Sequence, residues 1–375
     1  MRTQKLAIMN KFKFYFIVLI TTLSLFSCSK NDTPAEITPA RDYKVQFDAD
    51  NTTIETYLKT NYITVNNHPG FTDDQDVTIS KITAGETSIW DQTTFQLKSR
   101  EVNLHGIFYK VYYLVLRQGI GQSPTNADAV LASYNGRYLQ STTADANTTV
   151  AATGFEEVKL PQQFLSLLGT IKGWGEIFPQ FKTGTYPSNA DNTITYTDFG
   201  AGVMFIPSGL AYYNTGAGSI PSYAPLVFSF KLYAIQRLDS DGDGVLNYQE
   251  DVNIELNKDT DNNNIGYMYD YRNLVNYPTF PEDKIRYADD TDNDGIPNFL
   301  DVDDDGDNYT TKLESKRPDL IVNSLPVSNG YYPFAGASVD DPLTPNIDER
   351  QGVPSCSSDF TDSKRLRKYL DKSCH

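Results

Sequence analysis

Residues 239–314 carry an acidic pattern that repeats in twelve-residue units and is too polar to form an apolar core. This stretch holds 21 acidic and 5 basic side chains, so its net charge of −16 equals that of the whole chain. The 375-residue chain as a whole is 39% hydrophobic, with 25 Tyr and 20 Phe, which is ample for a globular core elsewhere. Because carboxylates this dense repel one another, the acidity indicates a concentrated cation site.

Four loops can be placed on this segment, each with oxygen ligands at positions 1, 3, 5 and 12 and a turn residue at position 6. The turn residue is Gly244 in the first loop, Gly295 in the third and Asn308 in the fourth. The second loop, with Asn264 at the turn, matches least well. In loop order, the candidate metal ligands are Asp239, Asp241, Asp243, Asn247 and Glu250; Asp259, Asp261, Asn263 and Asp270; Asp290, Asp292, Asp294 and Asp301; and Asp303, Asp305, Asp307 and Glu314.

The sequence around these loops does not favour the paired helices of an EF-hand. The chain enters Asp239 from a predicted strand, and Pro297 lies inside the third loop. The tandem therefore resembles thrombospondin type 3 repeats, which implies an irregular module organised around structural Ca²⁺. A disordered acidic linker is the alternative, and it would explain the composition but not the register of the acids.

The N-terminus has the features of a bacterial export signal. Residues 1–27 combine a basic start, no acid, and an apolar run over residues 14–26. The four residues ending in Cys28 resemble a lipobox, which implies a diacylated Cys28 and attachment to the membrane through the lipid alone. An ordinary signal peptide with an incidental cysteine is the alternative. Ser29, in place of Asp, favours the outer membrane of a Gram-negative cell, and residues 28–45 are predicted to form a tether.

Two further cysteines lie in the C-terminal tail, residues 315–375. An even pair in an exported chain favours a disulfide between Cys356 and Cys374. Two free buried thiols are the alternative.

The middle of the chain has the texture of an α+β domain. Residues 46–105 form an extension without an assigned role, containing a helix predicted over residues 53–60 and capped by Asn51. Residues 171–181 are predicted to form a short helix. The predicted strands cover residues 77–82, 108–116, 130–139, 203–207 and 225–238.

Residues 106–238 contain an ordered series of short motifs. They are Gly119-x-Gly121, Asp128-x-Val130, Tyr134-x-Gly136, Ile171-x-Gly173-Trp174, Ile206-Pro207-Ser208, Gly216-x-Gly218-x-Ile220-Pro221 and Leu226-Val227-Phe228. In order and spacing this series resembles the FKBP-type peptidyl-prolyl isomerases. The resemblance implies a curled antiparallel sheet wrapped on one short helix, with an aromatic pocket between them.

The resemblance also implies roles for seven pocket residues. Trp174 would form the pocket floor, Ile171 would cover the proline and donate its backbone N–H, and Asp145 would supply a carboxylate. The remaining pocket residues are Tyr134, Tyr212, Ile220 and Phe228.

Three positions depart from the family pattern around this pocket. Ala144 stands where a Phe normally precedes the carboxylate, and Tyr213 stands where a Gly normally follows the second pocket tyrosine. Phe155 is the nearest candidate for a further pocket Phe. These departures put the activity in question more than the fold.

The chemistry of prolyl isomerisation suits a pocket of this kind. Rotation about the peptide bond crosses a barrier of about 18–20 kcal/mol and needs neither nucleophile nor metal. The resemblance therefore implies an isomerase and folding factor that acts on X-Pro bonds of exported polypeptides. The alternative is a non-enzymatic, calcium-dependent surface-binding or adhesion lipoprotein with a degenerate pocket. The acidic balance argues against a nucleic-acid partner.

Overall fold

The computed structural model describes residues 39–144, 147–188, 194–251, 267–278, 289–334, 352–359, 362 and 365–374. The helices, strands and contacts of the fold lie within one compact unit, Arg41–His375. Its helices are α1 (Tyr43–Thr60), α2 (Lys172–Ile177) and α3 (Thr311–Glu314). Its strands are β1 (Asn61–Val65), β2 (Val77–Lys81), β3 (Gln96–Leu104), β4 (Ile107–Arg117), β5 (Ala129–Ala144), β6 (Asn147–Val158), β7 (Leu165–Ser166), β8 (Gly200–Ile206), β9 (Leu226–Gln236), β10 (Leu320–Val322) and β11 (Leu325–Val327).

The centre of the fold is an antiparallel sheet in the order β3-β4-β8-β9-β5-β6, with β7 paired to the start of β5. The hairpins β1–β2 and β10–β11 form separate two-stranded sheets. This sheet-rich fold with few helices is consistent with an FKBP-like domain. The strands predicted within residues 106–238 are confirmed, and so is the short helix, which continues as a 3₁₀ turn over Phe178–Gln180.

The sheet is buried on both faces. Alternate residues of β9, such as Phe228 and Phe230, pack with α2 in one core, whereas Val227 faces a second core. The second core receives Ile54 and Leu58 from α1. Residues 46–95 therefore have a structural role that their sequence did not reveal, because they cover the face of the sheet opposite α2.

Two element boundaries differ from those expected from the sequence. The predicted domain start at residue 106 falls inside the β3–β4 hairpin, since β3 is the edge strand of the main sheet. Helix α1 begins at Tyr43 rather than near residue 53, so the predicted tether, residues 28–45, overlaps its first turn. Asp42 caps this helix by accepting hydrogen bonds from the backbone N–H groups of Lys44 and Val45, both at 3.0 Å.

A buried carboxylate ties α1 to the loop after β8. Asp50 is 2% exposed and accepts hydrogen bonds from the Ser208 backbone N–H at 2.7 Å and the Ser208 hydroxyl at 2.6 Å. Burial raises the pKa of Asp50 to about 6, although the hydrogen bonds from Ser208 and Gln46 oppose that rise. Helix α1 thus supports the short 3₁₀ turn Ser208–Leu210, which leads directly into Tyr212.

The three described acidic loops, residues 239–250, 290–301 and 303–314, share one backbone conformation. In each, the N–H at position 6 donates to the position-1 carboxylate, over 3.2, 3.0 and 3.0 Å respectively. The position-6 residues Gly244, Gly295 and Asn308 have φ values of 106°, 99° and 76°. The left-handed region favours Gly and Asn, so the turn residues identified in the sequence occupy the positions that require them.

The C-terminal tail packs on these loops instead of extending away from them. Val245 of the first loop is buried with Val353 and Tyr369 of the tail. Cys356 and Cys374 are joined in a disulfide, with their Cα atoms 5.7 Å apart. Among the described residues, no helix combines the length and apolar character needed to cross a membrane.

We expect Asp50→Asn to change how stability depends on pH. The folded protein keeps Asp50 protonated up to about pH 6, whereas the unfolded chain releases this proton near pH 4. The wild type therefore loses the stability that comes from protonated Asp50 as pH rises through about 6. The free energy of unfolding of the wild type should therefore fall by about 2 kcal/mol relative to Asp50→Asn between pH 4 and 7.

Urea unfolding at several pH values measures this difference. Asp48→Asn, on the exposed side of the same helix, is the matched control and should run parallel to the wild type. Parallel curves for Asp50→Asn and the wild type would contradict the assignment.

Candidate functional site

Helix α2 packs closely against the sheet, with its inner side on β8 and β9. Ile171 precedes the helix in an extended conformation, with φ −62° and ψ 145°. A Cβ on Gly173 would lie 2.5 Å from Ile206 Cγ2, so only glycine allows this approach. Trp174, 4% exposed, is therefore held against the sheet.

The structure brings together the aromatic residues that the sequence predicted. The ring of Trp174 meets the rings of Tyr134 and Phe228 nearly at right angles, with centroids 5.0 and 5.2 Å apart. Ile220, 7% exposed, belongs to the same apolar core, and Ile171 packs against it. Edge-to-face packing of this kind is favourable and holds the rings in fixed orientations.

Phe155 completes the aromatic cluster through a β-bulge. The β5–β6 register shifts between Gly136 and Arg137, so Phe155 has no direct partner on β5. Its ring meets the ring of Phe228 at 5.6 Å and an interplanar angle of 87°. A Cβ on Gly136 would lie 2.6 Å from Phe155 Cζ and 2.8 Å from Phe228 Cε1, so the glycine provides the space for both rings.

The carboxylate beside the pocket tyrosines is Glu156. Gly136 pairs with Glu156 in the sheet. Burial, aided by the Glu156 side chain, raises the pKa of Tyr134 to about 12. Burial and the charge of Glu156 also raise the pKa of Tyr212. The bulge explains this arrangement, because it places the side chains of the adjacent residues Phe155 and Glu156 on the same side of the sheet.

Asp145, which the resemblance indicated as the pocket carboxylate, lies outside the described residues. Its neighbours Ala144 and Asn147 pair with each other at the far end of the β5–β6 hairpin, ten positions along β5 from Tyr134. Sequence reasoning therefore missed Glu156. The signal that could have identified it is Gly136, a strand glycine that marks a bulge or a close approach.

Tyr213 turns away from the pocket. Its φ of 43° lies in the left-handed region, where the family pattern expects Gly. Its ring stacks on the ring of Tyr43 at 4.4 Å, and its hydroxyl donates to the backbone carbonyl of Arg41. The departure at Tyr213 therefore attaches the pocket loop to α1 and leaves the aromatic cluster intact. Tyr212, 36% exposed, stays at the surface beside it.

The acidic loops bring carboxylates together in groups whose oxygens lie within 4.8 Å of one another. The within-loop groups join positions 1, 3 and 5 of the first, third and fourth loops. A further group joins Asp243 and Glu250 of the first loop with Asp304 of the fourth. All three of its members are at most 2% exposed.

This cross-loop group has the properties of a cation site. Neither carboxylate oxygen of Glu250 or Asp304 has a hydrogen-bond partner among the described residues. Burial and neighbouring acids raise the pKa of Glu250 to about 11 and that of Asp304 to about 9. Anionic oxygens this crowded fit a hard divalent cation such as Ca²⁺, whose charge would offset their repulsion and desolvation.

Some predicted ligands make other contacts and do not belong to the carboxylate groups. The Asn247 side chain is used within the fold, since it accepts from the Ser240 N–H at 2.8 Å and donates to the Ala127 carbonyl at 2.9 Å. Asp270 is paired with Arg272 at 2.8 Å, which lowers the Asp270 pKa. Neither residue therefore lies in a carboxylate group of the described structure. Asp259, Asp261 and Asn263 of the second loop lie outside the described residues.

The final acids of the third and fourth loops are buried, as position-12 ligands require. Asp301 is 9% exposed and Glu314 is 2% exposed. Burial raises the pKa of Glu314 to about 8.

Sequence reasoning missed Asp304, although one signal was available. Position 2 holds Ser240 in the first loop and Thr291 in the third, but an acid in the fourth.

Comparison with known proteins finds relatives of two kinds. The FKBP-type peptidyl-prolyl cis-trans isomerase FkpA of Aeromonas hydrophila is 31% identical over 131 residues, which cover 35% of this chain and 40% of that protein. The probable FKBP-type isomerase FkpA of Neisseria meningitidis serogroup B is 32% identical over 124 residues, covering 33% and 37%. The chain is homologous to FKBP-type isomerases. The homology spans about two fifths of the length of these curated relatives.

The likeness to solved structures is weaker. A peptidyl-prolyl isomerase from Pseudomonas syringae pv. tomato aligns with 53% of this chain and 100% of its own, at 19% identity and a TM-score of 0.29. FkpA from Escherichia coli aligns with 34% of this chain and 48% of its own, at 26% identity and a TM-score of 0.24. The FKBP relationship therefore rests on the sequence relatives.

The acidic half matches a different family. A family model described as BamM C-terminal matches residues 240–346. This match begins within the first acidic loop and continues past the fourth loop into the tail. Of the tail residues that pack with Val245, Tyr332 and Phe334 lie inside the matched range, whereas Val353 and Tyr369 lie beyond it.

We expect Gly136→Ala to destabilise the FKBP-homologous sheet by about 1–3 kcal/mol, because the new methyl group displaces the rings of Phe155 and Phe228. Urea denaturation followed by tryptophan emission measures the loss. Gly154→Ala is the matched control on β6, since its Cβ meets nothing within 4 Å. Equal stability of the two variants would contradict the packing described for Gly136.

Proposed function

We propose that this chain is a peptidyl-prolyl cis-trans isomerase that acts on X-Pro bonds of exported polypeptides. The observation that carries the proposal is the set of perpendicular rings of Tyr134, Trp174 and Phe228, with Glu156 beside the pocket tyrosines. The homology to FKBP-type isomerases supports the same reaction class.

The pocket would accelerate rotation by favouring the twisted peptide bond. Twisting removes amide resonance and makes the C–N unit less polar, so a site floored by Trp174 favours the transition state over the planar ground state. The backbone N–H of Ile171 has no hydrogen-bond partner among the described residues and would hold a substrate carbonyl. The Tyr212 hydroxyl would hold a second carbonyl, while Glu156 orients the Tyr134 hydroxyl.

Isomerisation of a proline-containing peptide, followed in a protease-coupled assay, tests this assignment. Tyr212→Phe and Glu156→Gln each remove one polar partner, and each should lower kcat/KM roughly tenfold. Glu157→Gln, the exposed neighbour on the same strand, is the matched control and should retain the wild-type rate.

An unaccelerated rate in the wild-type protein would overturn the isomerase assignment. If the same protein still bound the peptide, the result would favour the alternative function, a calcium-dependent binding or adhesion protein that uses a degenerate pocket.

We further propose that the protein is exported and lipid-anchored through Cys28, in the outer membrane of a Gram-negative bacterium. The support is the basic start, the apolar run and the lipobox-like residues before Cys28. The membrane would contact the protein through the lipid only, leaving the folded unit to meet other exported chains, in which slow prolyl isomerisation limits folding.

We also propose that the acidic loops bind structural Ca²⁺. The support is the shared loop conformation together with the buried carboxylates of Glu250, Asp304 and Glu314. The residues at positions 1, 3, 5 and 12 of each described loop would supply ligands. Asp304 of the fourth loop would add a further ligand to the cation bound by the first loop. Binding would then contribute directly to the folding of this half of the chain.

Calcium titration by calorimetry should release or absorb heat and raise the thermal midpoint, because the ion binds the folded loops in preference to the unfolded chain. Asp304→Asn should weaken binding roughly tenfold by removing one anionic ligand. Asp198→Asn makes the same charge change on an exposed residue outside the loops and should bind as the wild type does. Absence of heat and an unchanged midpoint in chelator would contradict the proposal.

A further inference from the structure

A tyrosine-rich segment lies along the outer side of the pocket helix. We call residues 267–277 the tyrosine strap. The Tyr267 hydroxyl donates to the backbone carbonyl of Glu176 at 2.9 Å, and the Tyr269 hydroxyl donates to Glu176 Oε2 at 3.2 Å. Tyr277, 7% exposed, is buried in the core that contains Trp174. The strap therefore contacts both α2 and the apolar core beneath it.

Glu176 is the point at which the strap holds the helix. This residue is fully buried, and its Oε2 also accepts from Arg100 Nε at 3.0 Å. The Arg100 guanidinium lies 3.6 Å from the ring centroid of Tyr267, and the Lys172 ammonium lies 4.6 Å from that of Tyr269. Buried charge pairs depend strongly on every partner, so loss of the strap would leave Glu176 with fewer donors.

The other contacts of the strap lead to the acidic loops. Met268 is buried with Phe299, which lies in the short turn Asn298–Leu300 of the third loop, and with Ala127. The Met268 N–H donates to the Asn126 side chain at 2.9 Å. The Asn247 side chain of the first loop donates to the Ala127 carbonyl. Folded loops are therefore required to complete the site in which Met268 is held.

We propose that cation occupancy of the acidic loops controls the isomerase pocket through the tyrosine strap. With the loops folded around cations, Phe299 fixes Met268, and the strap fixes Glu176 and the outer side of α2. Without cations, the strap loses the contact between Met268 and Phe299 that anchors it. Helix α2 then loses its outer support, and it is this helix that carries Trp174 and follows Ile171. This regulation rests on the proposed isomerase and on cation binding by the loops, and it assigns Tyr269 and Glu176 as positioning residues.

Trp174 emission provides a readout that does not depend on activity. The chain has two tryptophans, so Trp90→Phe leaves Trp174 as the only tryptophan in an otherwise full-length chain. Calcium is titrated into this protein while heat, Trp174 emission, hydrogen-exchange protection of residues 172–177 and peptide isomerisation are followed. Emission and protection should change with the same midpoint as the heat, and kcat/KM should rise roughly fivefold or more.

Tyr269→Phe tests the connection itself, because it removes the hydroxyl that reaches Glu176 and keeps the ring. This variant should bind calcium with the heat of the parent, yet lose most of the change in Trp174 emission and in protection of α2. Tyr331→Phe, an exposed tyrosine of the C-terminal half, is the matched control and should respond as the parent does.

The outcomes separate this proposal from the two on which it rests. Calcium-dependent emission and protection in a protein without isomerase activity would support the coupling and refute only the enzyme assignment. An active isomerase whose emission, protection and rate ignore bound calcium would overturn the coupling alone. Absence of calcium binding, or identical responses of Tyr269→Phe and Tyr331→Phe, would also overturn it.

Discussion

The close approach of buried carboxylates is the constraint on which the C-terminal half depends. Asp243, Glu250 and Asp304 hold carboxylate oxygens within 4.8 Å of one another and are shielded from water, so their charges destabilise the fold unless something neutralises them. Tyr369 of the tail is buried beside the same acids. Loops and tail therefore share one electrostatic requirement, whereas the sheet is held by ordinary apolar burial on two faces.

The pocket depends on an irregularity in an otherwise regular hairpin. The bulge opposite Gly136 and Arg137 lets Phe155 reach the aromatic cluster while Glu156 faces the tyrosine hydroxyls. On the other side, Asp50 and Tyr213 connect the Tyr212 loop to α1. Both sides of the pocket are thus supported by features outside the motifs that resemble FKBP-type isomerases.

Local patterns predicted much of this architecture. Alternating and β-branched runs located the central strands, and the twelve-residue register located the turns at Gly244, Gly295 and Asn308. Contacts between distant segments were not predictable in the same way. The Glu156 position depends on a one-residue shift in pairing, and Asp304 becomes a neighbour of Glu250 only when two loops meet. The first half of α1 was missed because its polar residues carry weak helix propensity, and packing on the sheet overrides that preference.

The strand order has a consequence for how the chain can be divided. Strands β5 and β9 are neighbours in the sheet although about a hundred residues separate them, and β8 meets β5 only through β9. Contacts of such long range are made late in folding, since the entropy of closing a long loop must be overcome first. A nascent chain that ends before Leu226 possesses the β3–β4 and β5–β6 hairpins but not the strand that joins them. The main sheet is therefore complete only once its last strand, β9, has been added.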